Sequence, residues 1–285
     1  MSPSRPSGWM LMLLATAQLI IALDATIVFV ALPQIGTHLD FSAQQLQWVV
    51  SAYSVAFGGF LLLGGRATDL LGKRRLYRTG QALYALASLA AVLGGSAVLL
   101  VLARAVQGVG GALLFPATLA LINTHYAEGP ERNRAFAVWS AASAAGLALG
   151  ALLGGVLTQV WGWEAVFLVN VPLAGGCAWA ARYWIPADGE RAAGRNFDIS
   201  GALTVTVGGT LLVFALVQGP EWGWTAPPTL GCIALAVALL GLFAWIEHRG
   251  RDPLMPLRLF AYRELRMAML LTAVFMSSFG VQYYF

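Results

Sequence analysis

The sequence predicts an all-α integral membrane protein: a bundle of about eight complete transmembrane helices followed by an incomplete ninth. Three observations predict it. First, 59% of the 285 residues are hydrophobic and only 11% are charged, whereas a soluble domain carries about 25% charged residues. Second, apolar runs of about 20 residues, enough to cross a core of about 30 Å at about 1.5 Å per residue, alternate with short polar segments. Third, the basic residues fall on alternate connections, as they do when Lys and Arg are retained on the cytoplasmic side.

Taken in order, the first run covers 9–32, after a short N-terminal segment with Arg5. It is too long for a signal-peptide core and lacks a convincing cleavage site, so it reads as a retained helix. The second run, 45–64, leads into the densest basic cluster of the chain, Gly64-Gly65-Arg66-Ala67-Thr68-Asp69-Leu70-Leu71-Gly72-Lys73-Arg74-Arg75. The expectation there is a short loop between two spans. Further runs follow at 77–96, 97–121, 135–157, 164–185, 200–218 and 229–247. The last starts at 266 and stops inside an apolar stretch at Phe285, so the chain reads as cut. Two connections are longer, 186–199 and 248–265, and both are polar.

With the N-terminus cytoplasmic, every one of the 17 basic residues except Arg104 falls on the inside. The outside connections carry none and hold Trp161, Trp163, Trp222 and Trp224, as an interfacial aromatic belt does. The net charge of +4 thus has a topological explanation and does not point to nucleic acid. Cys177 and Cys232 lack metal-ligand spacing and read as buried apolar residues without a disulfide. His38, His125 and His248 lie at membrane edges. No Ser/His/Asp grouping and no phosphate-binding glycine loop followed by Lys-Ser/Thr is present, so neither a hydrolase nor an ATP-driven pump is indicated, and no cofactor is expected.

Two ionisable residues fall inside spans, Asp24 in the first and Arg104 in the fourth. Such groups are costly in a bilayer and are candidate functional residues by default. Asp24 lies roughly 13 Å below the outer end of its helix and Arg104 roughly 10 Å deep in its own, so the two could pair. Burial raises a carboxyl pKa and a nearby cation lowers it, and a group that takes and releases protons needs those effects near balance. The alternative is that Asp24 is a structural residue satisfied by backbone or Thr26, and that Arg104 only ties helices together. Gln107, three residues after Arg104, shares its helix face. Gly146, Gly150, Gly154 and Gly155 place small residues at about four-residue intervals, which permits close helix packing.

These residues carry a resemblance. Gly65-x-x-x-Asp69-x-x-Gly72-Lys73-Arg74 resembles the loop signature of the major facilitator superfamily, and Arg104-x-x-Gln107-Gly108-x-Gly110-Gly111 resembles its fourth-helix motif. Gly146-x-x-x-Gly150-x-x-x-Gly154-Gly155 resembles the fifth-helix motif of its antiporters. The stretch from Leu23-Asp24 to Leu32-Pro33 is similar to the first-helix motif of the fourteen-helix drug:proton antiporters, and Trp161-Gly-Trp163 with Phe167-Leu-Val-Asn170-Val-Pro172 fits that branch. Phe29, Ala67, Leu70 and Ala151 depart from the usual Asn, Leu, Arg and Pro.

The resemblance implies two six-helix bundles with an extra helix pair between them, of which this chain is the N-terminal portion. It divides the chain into a six-helix bundle at 1–185, a cytoplasmic linker at 186–199, the extra pair at 200–247, a cytoplasmic loop at 248–265 and the start of the second bundle at 266–285. It further implies proton-coupled efflux of amphipathic, drug-like compounds across the plasma membrane by alternating access, through a cavity completed by the missing C-terminal bundle. Asp24, Arg104 and Gln107 would couple proton and substrate. Gly65, Asp69, Gly72, Lys73 and Arg74 would form a conformational latch, and the fifth-helix glycines would seal the antiporter against leak. The competing expectations are import or uniport of a metabolite on the same fold, and a non-transporting membrane bundle.

Overall fold

The computed structural model describes residues 8–189, 199–249 and 261–281, and among them every regular element is helical. The N-terminal segment with Arg5, residues 190–198 with Arg191 and Arg195, residues 250–260 with Arg251 and Arg258, and residues 282–285 lie outside the described residues. The helices are α1 (Gly8–His38), α2 (Ala43–Leu71), α3 (Lys73–Leu93), α4 (Ala97–His125), α5 (Pro130–Trp161), α6 (Glu164–Leu168), α7 (Asn170–Trp184), α8 (Ile199–Trp222), α9 (Pro227–Arg249) and α10 (Arg263–Val281). Counting α6 and α7 together, seven spans among the described residues are long and apolar enough to cross a membrane. The span expected at 77–96 is α3, which is long enough but less apolar, because its first turns hold Lys73, Arg74, Arg75 and Arg78.

The largest correction concerns the expected loop at 64–75. Gly64 to Leu71 are the last two turns of α2, and α3 begins at Lys73. The connection is the single residue Gly72, at φ 105° and ψ 139°. A side chain disfavours that positive φ, and the carboxylate of Asp188 occupies the space where a Cβ at this position would stand. Asp188 accepts hydrogen bonds from the backbone N–H groups of Arg74 (2.9 Å) and Arg75 (3.0 Å). An anion there offsets the three cations crowded at the positive end of the α3 dipole.

Two prolines also behave differently from expectation. α1 does not stop before Pro33 but runs on to His38, since proline is tolerated inside apolar spans. Pro172 does interrupt its helix. It cannot donate to the carbonyl of Leu168 and its ring displaces that carbonyl, so the sixth span breaks at Val169 into α6 and α7. Pro172 then sits in the first turn of α7, where a missing N–H costs little.

α1 packs chiefly against α5, and α4 lies between α2 and α3. α7 packs against α3 and α1, while α8 and α9 form a hairpin whose α8 side rests on α2. Small residues permit these contacts. A Cβ at Gly108 would meet the backbone of Tyr53 on α2, and one at Gly110 would lie 3.0 Å from the carbonyl of Gly80 on α3. A Cβ at Gly59 would collide with Thr210 of α8. At one end of the bundle Lys73 Nζ donates to Thr124 Oγ1 at the close of α4, and Arg74 Nη2 donates to the Arg182 carbonyl at the close of α7 (2.7 Å). This is the basic end. The described side chains of α10, at 263–275, are exposed.

Candidate functional site

The first, second, third, fourth and sixth spans converge on one buried polar cluster. Asp24 of α1 and Arg104 of α4 form an ion pair, with Arg104 Nη1 donating to Asp24 Oδ2 at 2.5 Å. Asp24, Gln107 and Asn170 are wholly buried and Arg104 is 1% exposed. The guanidinium is held on several sides. Its Nε donates to the Val49 carbonyl of α2 (2.8 Å), Nη1 also donates to Gln107 Oε1 (2.9 Å), and Cζ lies 4.6 Å from the centre of the Tyr53 ring. Gln107 Nε2 in turn donates to Ser88 Oγ of α3 (2.7 Å). Desolvating two charges costs several kcal/mol each, and the bonds from Nε and Nη1 together with the Tyr53 ring offset part of that cost.

The other oxygen of Asp24 faces α7, where Asn170 Nδ2 donates to Oδ1 at 3.3 Å. Asn170 Oδ1 accepts no hydrogen bond among the described residues. The break caused by Pro172 sets this amide at the start of α7, level with the carboxylate. Tyr84 of α3 completes the surround, its hydroxyl 3.5 Å from that of Tyr53.

Asp24, Arg104 and Gln107 are therefore brought together. Thr26 does not satisfy Asp24; its hydroxyl bonds instead to the Leu147 carbonyl of α5 (3.0 Å). The fifth-helix glycines form a separate feature on the far side of α1. A Cβ at Gly146 or Gly150 would lie 2.6 Å from the carbonyl of Leu19 or Leu23, and one at Gly154 would lie 3.1 Å from that of Ile27. Gly155 is not on this face, for a Cβ there meets nothing within 4 Å; adjacent residues on a helix point about 100° apart. Ala151 is exposed and α5 passes it without interruption.

Gly65, Asp69, Gly72, Lys73 and Arg74 sit at the basic end, away from the ion pair. Gly65 and Asp69 belong to α2, Gly72 is the connection, and Lys73 and Arg74 open α3. Asp69 is exposed and makes no hydrogen bond or ion pair among the described residues. It lines a groove of about 410 Å³ with Lys73, Thr124, His125 and Asp188. Phe29 lies on another groove, of about 670 Å³, between α1, α2 and α8.

Sequence reasoning about charge missed Asn170, Tyr53, Tyr84 and Ser88 as members of the cluster. A signal was there: Tyr77, Gln81, Tyr84 and Ser88 repeat at helical spacing within an apolar run, and all four are wholly buried. Uncharged polar residues in an apolar run mark buried contacts in the same way as charges, though less sharply.

The sequence profile described as Major Facilitator Superfamily matches residues 14–285. Among curated proteins the chain is 42% identical over 264 residues to the puromycin resistance protein pur8 of Streptomyces alboniger, covering 92% of this chain and 52% of that one. It is 39% identical over 254 residues to the cephamycin export protein CmcT of Amycolatopsis lactamdurans (88% and 52% covered). It is 38% identical over 252 residues to the tetracenomycin C resistance and export protein of Streptomyces glaucescens (88% and 46%). The chain spans about half the length of the curated relatives it matches. Its fold is similar to that of the peptide transporter POT crystallised with sulfate, with a TM-score of 0.64 at 15% identity over 88% of this chain and 55% of that chain.

Proposed function

The chain belongs to the major facilitator superfamily, and from that premise we propose that it forms the N-terminal portion of a proton-coupled exporter of amphipathic, antibiotic-like compounds. The N-terminus and the basic end face the cytoplasm, the membrane is the plasma membrane, and a second bundle completes a central cavity reached alternately from either side. On this reading the chain comprises a bundle at 1–185, an inserted helix pair at 200–247 and the opening of the second bundle. Support for export over import comes from the relatives, whose names speak of resistance and export.

The observation that carries the proton reading is the buried Asp24–Arg104 pair. Deprotonated, Asp24 holds Arg104. A proton entering from outside neutralises the carboxyl and loosens the pair, so proton and substrate can bias the same contact between α1 and α4 in opposite directions. Gln107 keeps one donor of Arg104 occupied throughout. At the basic end Asp69, Lys73 and Arg74 act as a latch, with Asp69 turned toward the second bundle.

The test is Asp24→Asn in the complete two-bundle protein, reconstituted in vesicles. Efflux driven by a pH gradient is expected to be abolished while substrate still binds. Proton-driven efflux that survives the substitution would remove Asp24 from the mechanism.

A further inference from the structure

We infer that Asn170 is a positioning residue for proton exchange at Asp24, presenting its amide N–H to the ionised carboxyl and its carbonyl to the protonated one. The inference rests on the proton-coupled reading of the site.

Two observations carry it. Asn170 is wholly buried and its Nδ2 contacts the oxygen of Asp24 that Arg104 leaves free. Its own Oδ1, equally buried, accepts no hydrogen bond among the described residues. A buried amide with one half engaged and the other idle is an expensive arrangement. It becomes economical if the site has a second state. When Asp24 gains a proton from water on one side of the membrane, one carboxyl oxygen changes from acceptor to donor. A half-turn of the Asn170 side chain about its last torsion then brings the idle carbonyl to that new O–H. When the proton leaves to the other side, the amide turns back. Arg104 cannot serve both states, because a guanidinium only donates.

Among the described residues no other amide contacts Asp24. The charged and titratable groups facing it are Arg104 from α4, Tyr53 from α2 and Tyr84 from α3. Tyr53 and Tyr84 are turned to each other. The α5 wall against this part of α1 is glycine, at positions 146 and 150.

The experiment measures proton-driven efflux of a fluorescent cationic dye against external pH in vesicles bearing the complete protein. Asn170→Leu removes both the donor to the ionised carboxyl and the acceptor for the protonated one. The rate of proton-driven efflux is expected to fall about tenfold, while binding of the dye to the purified protein holds. Asn170→Ser, whose hydroxyl both donates and accepts, is expected to recover most of the lost rate. Asn170→Ala replaces the leucine variant if that one does not accumulate, with the same loss expected. Loss in the leucine variant with binding kept, and recovery in the serine variant, support the inference. A leucine variant within about twofold of the parent rate, or a serine variant no faster than the leucine one, overturns it. Asp24→Asn measured alongside separates the two levels. If it abolishes proton-driven efflux while Asn170→Leu leaves the rate unchanged, only the role of Asn170 falls. If it retains such efflux, the proton reading falls too.

Discussion

Arg104 shows how much one buried side chain can organise. It ties α4 to α1 through Asp24, to α2 through the Val49 carbonyl and the Tyr53 ring, and to α3 through Gln107 and Ser88. These contacts exploit the planar fork of a guanidinium, which an ammonium lacks. Arg104→Lys keeps the charge but cannot reach Asp24, Gln107 and Val49 together. Each charged hydrogen bond lost is worth about 1.5–3 kcal/mol, so turnover is expected to fall at least about tenfold. Dye efflux rates in vesicles check this, and a rate within about twofold of the parent would mean that charge alone matters. This pairing was legible in the sequence, because Asp24 and Arg104 were the lone charges inside spans and helix rise placed them at similar depth. Asn170 was not legible as a site residue. An amide in an apolar run does not announce whether it faces a carboxylate or a backbone carbonyl.

At the scale of the element, the glycines of α5 divide sharply. Gly150 sits against the Leu23 carbonyl and the Thr26 hydroxyl of α1, whereas Gly155 meets nothing. Gly150→Leu forces the two backbones apart, and overpacking of this kind costs about 1–3 kcal/mol or more. Gly155→Leu is expected to stay within about 0.5 kcal/mol. Melting temperature and yield in detergent should therefore collapse for the first variant and hold for the second; equal behaviour would mean that α5 does not pack on α1 through this face. Spacing in the sequence grouped all four glycines, and only the packed structure separates the one that points away. Helix ends were the least legible feature. The polar residues from Gly64 to Asp69 resemble a loop in composition, yet they are the end of α2 emerging from the apolar layer. Pro33 read as a stop and was not one, while Pro172, inside an apparently continuous run, was.

For the whole molecule, the contact between α2 and α8 matters most. Gly59 admits Thr210, and the ring centres of Trp48 and Phe214 lie 5.5 Å apart. Contacts this close make the α8–α9 hairpin part of the body that contains α2. Trp48→Cys with Phe214→Cys, in a background where Cys177 and Cys232 are alanine, can be bridged by a short bifunctional thiol reagent. The bridged protein is expected to transport within about twofold of the unbridged one, since small packed shifts alone separate the two residues. Arrest on bridging would show that the hairpin moves against α2 in each cycle. No sequence pattern announced which face of the α8–α9 hairpin docks, because α8 and α9 are apolar all round and lipid competes for every side.

The lone residue between α2 and α3 also bears on how the protein is made. One residue spans at most about 3.6 Å, so the foot of α2 and the head of α3 can never be far apart. On insertion the two ends therefore enter at one place in the membrane plane, and α2 and α3 form a hairpin whose tip carries the cations of Lys73, Arg74 and Arg75.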